Sequence, residues 1–265
     1  MSRQWSFTDL EFVLLCDRAD RGSIPEPFTY TSRIALAEDY AVERRRVWAE
    51  LESRDDPDLR VISDALDRPD VSIAVRAWDE ADYSDQTKHI RAHVLRWRSL
   101  GLVITQRPGE SVWHSAGFDV AECDPHAIAD VALAQLPTAK AGRSTDLLLP
   151  GPDPQVDADD YSAGPAVGDE LEVDDAQRGA RFLAAPAALA GDVTVYQGRS
   201  KFGPRGRIGM TLEWRDLPDD GRYAIRSTGS ARTASGMGTK GMAEWANEQV
   251  TEILLRLDRH MENEE

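Results

Sequence analysis

The phrase Leu-x-Trp-Arg-x-Leu occurs twice in the chain, as Leu95–Leu100 and as Leu212–Leu217, and each copy closes a stretch in which apolar and polar residues alternate. A matching opener stands upstream of each copy, Asp70-Val71-Ser72-Ile73 in one case and Asp192-Val193-Thr194-Val195 in the other. Downstream, each runs through a short turn into another strand pattern, Leu102 to Gln106 or Tyr223 to Arg226, and each half closes with an amphipathic helix. A unit this long is not a solenoid repeat, so the pattern predicts one domain made of two pseudo-equivalent halves.

Local signals fill in the elements. Thr8-Asp9-Leu10-Glu11 has the spacing of a capping box, with Phe7 and Phe12 placed as a hydrophobic staple, so a helix is expected to start there. Gly22, Pro25 and Pro27 end it; Phe28 to Arg33 reads as a short strand, followed by helices over Ala35–Arg54 and Pro57–Asp67. From Val71 to Val120 the period becomes two, punctuated by Gly101 and Pro108-Gly109, which predicts an antiparallel meander. Pro125 is expected in the first turn of a helix that runs to Leu136. The second half offers strands over Val193–Arg199, Arg207–Arg215 and Arg222–Ser227, then a helix from about Thr239 to Met261. The expected fold is α+β, a central and mostly antiparallel sheet flanked by helices, in one domain with pseudo-twofold halves of about 5–149 and 178–262. Residues from about 150 to 177 are rich in Pro, Gly, Ala and Asp and read as an acidic, flexible connector.

Charge narrows the partners. The formal net charge is −16, and nine acidic residues lie between Asp153 and Asp175 with no Lys or Arg among them. Such a chain repels nucleic acid and anionic membrane surfaces, so neither is an expected partner. No stretch approaches the ~20 apolar residues that cross a bilayer, and the first apolar run is broken by Asp9, Glu11 and Asp17; no membrane insertion and a cytoplasmic location are expected. The two cysteines, Cys16 and Cys123, read as reduced thiols.

Motifs for chemistry are few. Gly236-Met237-Gly238-Thr239-Lys240-Gly241 matches G-x-G-x-x-G between a strand and a helix, but no second parallel strand pattern follows to complete a dinucleotide unit. Nucleotide or small-molecule binding there is the alternative function. Gly198 to Gly206 has the glycines of a phosphate loop's front half, with Pro204-Arg205 where Lys and Ser or Thr are needed. What remains is a basic turn, Arg199, Lys201, Arg205 and Arg207 around Phe202, read as a solvated hairpin or as a contact loop. His89 and His93 share a strand face but stand about 13 Å apart at strand rise, too far to hold one metal. His114, Cys123 and His126 lack a second pair of ligands. Neither G-x-S-x-G nor H-E-x-x-H occurs. No catalytic residue, metal or cofactor is expected, and the chain is not read as an enzyme.

A family resemblance supplies the functional expectation. Trp5-Ser-Phe-Thr-Asp-Leu-Glu-Phe12, Pro27-Phe-Thr-Tyr-Thr-Ser-Arg33, Trp113-His-Ser-Ala-Gly-Phe118, Gln197-Gly-Arg-Ser-Lys-Phe-Gly-Pro-Arg-Gly-Arg207 and Trp214-Arg-Asp-Leu217 resemble the EspG family, secretion-associated proteins of the ESX (type VII) systems. The resemblance runs from residue 5 to about 260 and is most specific from Gln197 to Trp214. It implies a cytosolic chaperone that binds a PE–PPE heterodimer, or another helical secreted heterodimer, before export, and a pseudo-twofold α+β fold. Candidate contact residues are Trp97 and Arg98 on an exposed sheet face, the turn with Arg199, Lys201, Phe202, Arg205 and Arg207, and Met237, Met242 and Trp245 around the last helix. The acidic turn from Asp79 to Lys88 is a second candidate contact. Whether the free protein pairs with itself as a homodimer through a strand edge is left open by the sequence.

Overall fold

The computed structural model describes residues 3–19, 23–150, 170–198, 207–228 and 231–262. In chain order the elements are β1 (Gln4–Phe7), α1 (Asp9–Arg18), α2 (Ala37–Ser53), α3 (Pro57–Asp67), β2 (Val71–Trp78), β3 (Ile90–Trp97), β4 (Leu100–Pro108), β5 (Ser115–Cys123) and α4 (Ile128–Leu133). They continue with β6 (Leu147–Leu149), α5 (Glu170–Ala184), β7 (Leu189–Gln197), β8 (Gly209–Leu217), β9 (Gly221–Thr228), β10 (Ala231–Gly236) and α6 (Thr239–Glu262). One ten-stranded sheet joins them in the order β1-β5-β4-β3-β2-β7-β8-β9-β10-β6.

The halves meet at the centre, where β2 and β7 pair antiparallel from Val71 opposite Gln197 to Trp78 opposite Ala190. Outward from that seam β3, β4, β5 and β1 are answered by β8, β9, β10 and β6, so a pseudo-twofold axis runs perpendicular to the sheet. Such an axis keeps each face of the sheet on the same side. Accordingly α4 and α6 pack together on one face, over Val71, Ile73, Val75, Val193, Val195, Leu212 and Trp214. On the opposite face α1 and α3 cover the first half through Leu95, Leu102, Ile104, Phe118 and Val120, and Phe182 of α5 covers the second through Tyr223 and Ile225.

The duplicated phrase does not superpose under this symmetry. The openers do: Val71 and Val193 point to the α4/α6 face, Ser72 and Thr194 away from it. By the end of the next strand the copies are out of step. Trp97 packs with the α1–α3 core and Trp214 with the α4/α6 core, so the two tryptophans sit on opposite faces. In the first copy Arg98 and Ser99 form the hairpin turn, with Arg98 at φ 56°; in the second the strand continues to Leu217. A one-residue change of register exchanges faces, which is why identical letters can serve opposite sides.

The capping box is present: the Glu11 amide donates to Thr8 Oγ1 at 3.3 Å and the Thr8 amide to Glu11 Oε2 at 2.7 Å. Phe28 to Arg33 is not a strand. The Gln106 side chain docks its backbone: the Thr29 amide donates to Gln106 Oε1 at 2.9 Å, and Gln106 Nε2 donates to Thr29 O at 3.2 Å. Phe28 is fixed by edge contacts to Phe12 and Phe118, whose rings stack at 4.1 Å. The helix expected from Pro125 begins only at Ile128, and α5 begins at Glu170, inside the stretch read as connector. Strands β1, β6 and β10 had no sequence signal. In β10, Ala-Arg-Thr-Ala-Ser-Gly buries only Ala234, too little to write an alternation.

Arg215 ties three elements together. Its guanidinium donates to Phe182 O and Ala185 O at 2.8 Å each, taking carbonyls left over at the end of α5, and it pairs with Glu80 from the β2–β3 loop. Glu80 in turn accepts the Ala187 amide at 3.1 Å. Arg215→Ala is expected to cost roughly 2–3 kcal/mol in urea unfolding, because hydrogen bonds to a charged group are stronger than neutral ones and the carbonyls are left unmet. A loss below about 0.5 kcal/mol would show that α5 does not depend on this contact.

Candidate functional site

Between the two helical layers on the α3/α5 face, β7, β8 and the Arg76 end of β2 are left uncovered by the described residues. Sheets packed on both faces read as continuous apolar runs, whereas these strands alternate, and their outward residues are polar. Cross-strand pairs make a ladder there. Arg76 Nη2 lies 2.6 Å from Asp192 Oδ2, Thr194 Oγ1 lies 2.9 Å from Thr211 Oγ1, and Glu213 Oε2 is 2.7 Å from Arg232 Nη2. Arg76, Thr211 and Glu213 are exposed, while Asp192, Thr194 and Tyr196 are half-buried.

The strip ends in a cleft of about 520 Å³, walled by Ile24, Pro25 and Glu26 on one side and by Tyr196, Gln197, Arg207, Ile208 and Gly209 on the other. Its floor contains Ser72 and His93. His93 Nδ1 is 2.7 Å from Glu26 O, and the Tyr196 hydroxyl donates to Glu26 Oε2 at 2.9 Å, so the Ile24–Glu26 wall is held to the sheet by polar contacts. Among the described residues, Ser72 Oγ is buried without a hydrogen-bond partner. Burial raises the Asp192 carboxyl above its ordinary value against the opposing pull of Arg76. Burial, then the bond to Glu26, raises the Tyr196 phenol, which therefore stays a neutral donor. A second cleft of about 480 Å³ shares Ile24 and is lined by Phe28, Tyr30, Tyr40 and Trp113. Trp113 is 63% exposed. The site is thus a polar, hydrogen-bonding trough with an aromatic shoulder, suited to contact with another surface.

The expected contact residues divide. Arg98 is exposed and stacks on half-buried Trp97 at 4.9 Å, and its amide donates to Asp70 Oδ2 at 2.7 Å. The Asp70 carbonyl accepts the Gly198 amide at 3.0 Å, so Trp97, Arg98 and exposed Arg207 share the cleft's end of the sheet. Met237 is at the other end, its amide donating to Arg222 O at 2.9 Å. Met242 is fully buried on the α4/α6 face and Trp245 packs half-buried against the same core; Met242 offers a partner no surface. Arg199, Lys201, Phe202 and Arg205 lie outside the described residues. The ladder residues Arg76, Asp192, Thr194, Tyr196, Thr211 and Glu213 were not singled out in the sequence. Their signal was available: strict alternation in strands that end at the middle of a large sheet marks an open face.

The glycine-rich stretch has no room for a phosphate. A Cβ on Gly236 would lie 1.9 Å from Gly142 O, and one on Gly238 2.8 Å from Ala139 O, so these glycines serve close packing. Two of the amides that would face a phosphate are already used, Gly236 N by Ser144 O at 2.9 Å and Thr239 N by Ala139 O at 3.0 Å. Among the described residues no group of three or more His, Cys, Asp or Glu could hold a metal, and no helix is long and apolar enough to cross a membrane.

Comparison with known proteins places this geometry. The model of the EspG family matches residues 8–240. The chain belongs to the EspG family. Among solved structures, the Mycobacterium tuberculosis type VII secretion system chaperone EspG5 in complex with the PE25-PPE41 dimer is similar, with a TM-score of 0.53 and 12% identity over 95% of this chain and 97% of that one. At that identity the likeness is one of fold. No curated protein sequence matches the chain. This EspG-family member therefore has the family's pseudo-twofold α+β fold, with the sheet's central strands open on one side.

Proposed function

We propose that this EspG-family protein is a cytoplasmic chaperone of a type VII secretion system that receives the apolar tip of a helical heterodimer of the PE–PPE kind on the uncovered strip of β2, β7 and β8. The observation that carries the reading is the open polar ladder at the centre of an otherwise helix-covered sheet. The solved relative was captured with a PE–PPE dimer, which supports the choice of client class. An exposed apolar tip self-associates in water, and covering it is worth about 25 cal/mol per Å² before the costs of association. A specific complex needs more than ~1,000 Å² of total buried surface. The strip, its cleft and the Trp113 shoulder are contiguous through Ile24. Rigid aromatic anchors beside hydrogen-bonding groups hold a client in one orientation, and release at the secretion machinery requires no chemistry.

The test is co-expression with small secreted helical heterodimers encoded beside a type VII locus, followed by size-exclusion chromatography. A stable complex with one such heterodimer is expected. A folded protein that elutes alone with every heterodimer tried would overturn the reading.

A further inference from the structure

The sheet contains a second feature that the chaperone reading does not use: β8 and β9 separate. Their pairing runs from Leu217 opposite Gly221 to Glu213 opposite Ile225 and stops there, although both strands continue, β8 back to Gly209 and β9 on to Thr228. Each stays paired on its outer side, β8 with β7 as far as Gly209 opposite Tyr196, and β9 with β10 as far as Thr228 opposite Ala231. The result is a wedge inside the sheet, closed at Glu213/Ile225 and open at the end where the cleft lies.

Hydrogen-bond phase identifies the groups that face the wedge. In an antiparallel ladder successive residues turn their N–H and C=O to alternate neighbours. The Gln197 amide donates to Ile208 O at 2.8 Å, so in β8 the even-numbered residues face β7 and the odd-numbered Gly209, Thr211 and Glu213 face β9. Arg222 is bonded on its outer side, its amide to Lys140 O at 2.8 Å and its carbonyl to the Met237 amide at 2.9 Å, so Ile225 and Ser227 of β9 face β8. Glu213 and Ile225 meet; Gly209, Thr211 and Ser227 turn main-chain groups into the wedge with no described strand opposite. The first half has a shorter counterpart: β3 and β4 part beyond Ala92 opposite Thr105, and Thr29 docks there on the side chains of Gln106 and of Arg91, whose Nη1 lies 2.6 Å from Thr29 Oγ1. In the second half no described segment takes that place.

We infer that this wedge is a strand-addition site, and that its occupant is an extended, acidic segment of another polypeptide, bonded through its main chain to the free edge at Gly209, Thr211 and Ser227. Main-chain bonds to an open strand edge are an established way of gripping an extended peptide without demanding a particular sequence. Charge beside the wedge selects the sign. Arg207, just before the open end, and Arg226, just past Ile225 on the opposite face, are exposed, and among the described residues neither is in an ion pair, in a chain whose formal charge is −16. A carboxylate beside either one gains without displacing a described partner. A basic segment is repelled. The inference stands apart from the chaperone reading, since it needs no helical client.

The test uses a fluorescein-labelled, blocked octapeptide alternating valine with aspartate, its lysine counterpart, and an aspartate peptide N-methylated at alternate residues, titrated by anisotropy at low salt. Saturable binding of the aspartate peptide is expected, with slowed hydrogen exchange at the Gly209, Thr211 and Ser227 amides. N-methylation should abolish it, the lysine peptide should bind at least tenfold more weakly, and Arg226→Glu should weaken the aspartate peptide by a similar factor. Ser227→Pro removes one donor that faces the wedge and should weaken binding at least fivefold; Arg226→Glu, at an exposed side chain, keeps the test valid if that proline perturbs folding. Absence of saturable binding, equal binding of the N-methylated peptide, or protection elsewhere on the molecule would overturn the inference.

Discussion

Arg222→Ala is expected to remove about 3–5 kcal/mol of stability, the range for breaking a buried ion pair from one side. Arg222 is fully buried. Its guanidinium meets Asp216 through both oxygens at 2.7 and 2.8 Å, donates to Pro137 O at 3.1 Å, and lies 4.3 Å from the centre of the Trp214 ring. It thereby fastens the turn before α6, the segment after α4 and the end of β8 at one point. Alanine leaves the Asp216 carboxylate and the Pro137 carbonyl without this donor and removes the cation from the Trp214 face. With total stability of roughly 5–15 kcal/mol for an ordinary domain, such a loss takes a fifth or more of it. Arg222→Met combined with Asp216→Asn should restore part of the deficit, because the uncompensated charge is gone. Urea unfolding followed by tryptophan fluorescence measures both; a single-variant loss under 1 kcal/mol would mean that this cation is not a structural fastener.

Client binding should be far more sensitive to the strip. Arginine at both Thr194 and Thr211 puts two long cations at the ladder's centre, where the hydroxyls now lie 2.9 Å apart. The expected loss in affinity for the heterodimer is at least 100-fold, about 2.7 kcal/mol. Thr211 is exposed and Thr194 half-buried, so the fold should tolerate the change to within about 0.5 kcal/mol. Calorimetric titration of the purified complex partners distinguishes the two effects. Unchanged affinity would place the client elsewhere on the molecule.

Residues with strong local chemistry were legible in the sequence. The Thr8 to Glu11 capping box, the Pro57 helix start and the alternation of β2 through β5 each follow from forces that act within a few residues. So did the pseudo-twofold architecture, because the openers at Asp70 and Asp192 carry the same alternation onto the same face. The tryptophans misled about which positions correspond, since an identical phrase says nothing about register. Phe28 to Arg33 looked like a strand because its aromatic and β-branched residues suit one, yet the backbone finds its partner in the Gln106 side chain, a contact 77 positions away. Met242 at helical spacing belongs to the core it was spaced to fill, and the ladder at Thr194 and Thr211 is open because no described helix crosses β7 and β8 on that face, a fact of tertiary layout.

The asymmetry between the halves has a mechanical reading. In the first half α1, α3 and the Phe28 segment close over the sheet, with Phe12, Phe28 and Phe118 packed ring to ring. In the second, Phe182 of α5 contacts Tyr223 at 5.1 Å near the sheet's edge and leaves β7 and β8 bare. One half therefore supplies a rigid wall and the other an open floor, which is the geometry the proposed client site relies on.

Thiol protection tests the central claim most directly. Cys16 is fully buried, and burial pushes the Cys123 thiol up to about 11, so both react slowly and the background is low. A cysteine introduced as Thr211→Cys in the strip, and another as Glu248→Cys on the exposed side of α6, are labelled with a maleimide in the free protein and in its complex with the heterodimer. The account predicts that the client slows labelling at position 211 by at least 100-fold and leaves position 248 unchanged. Labelling at 211 that continues at its free rate while a stable complex persists would contradict it.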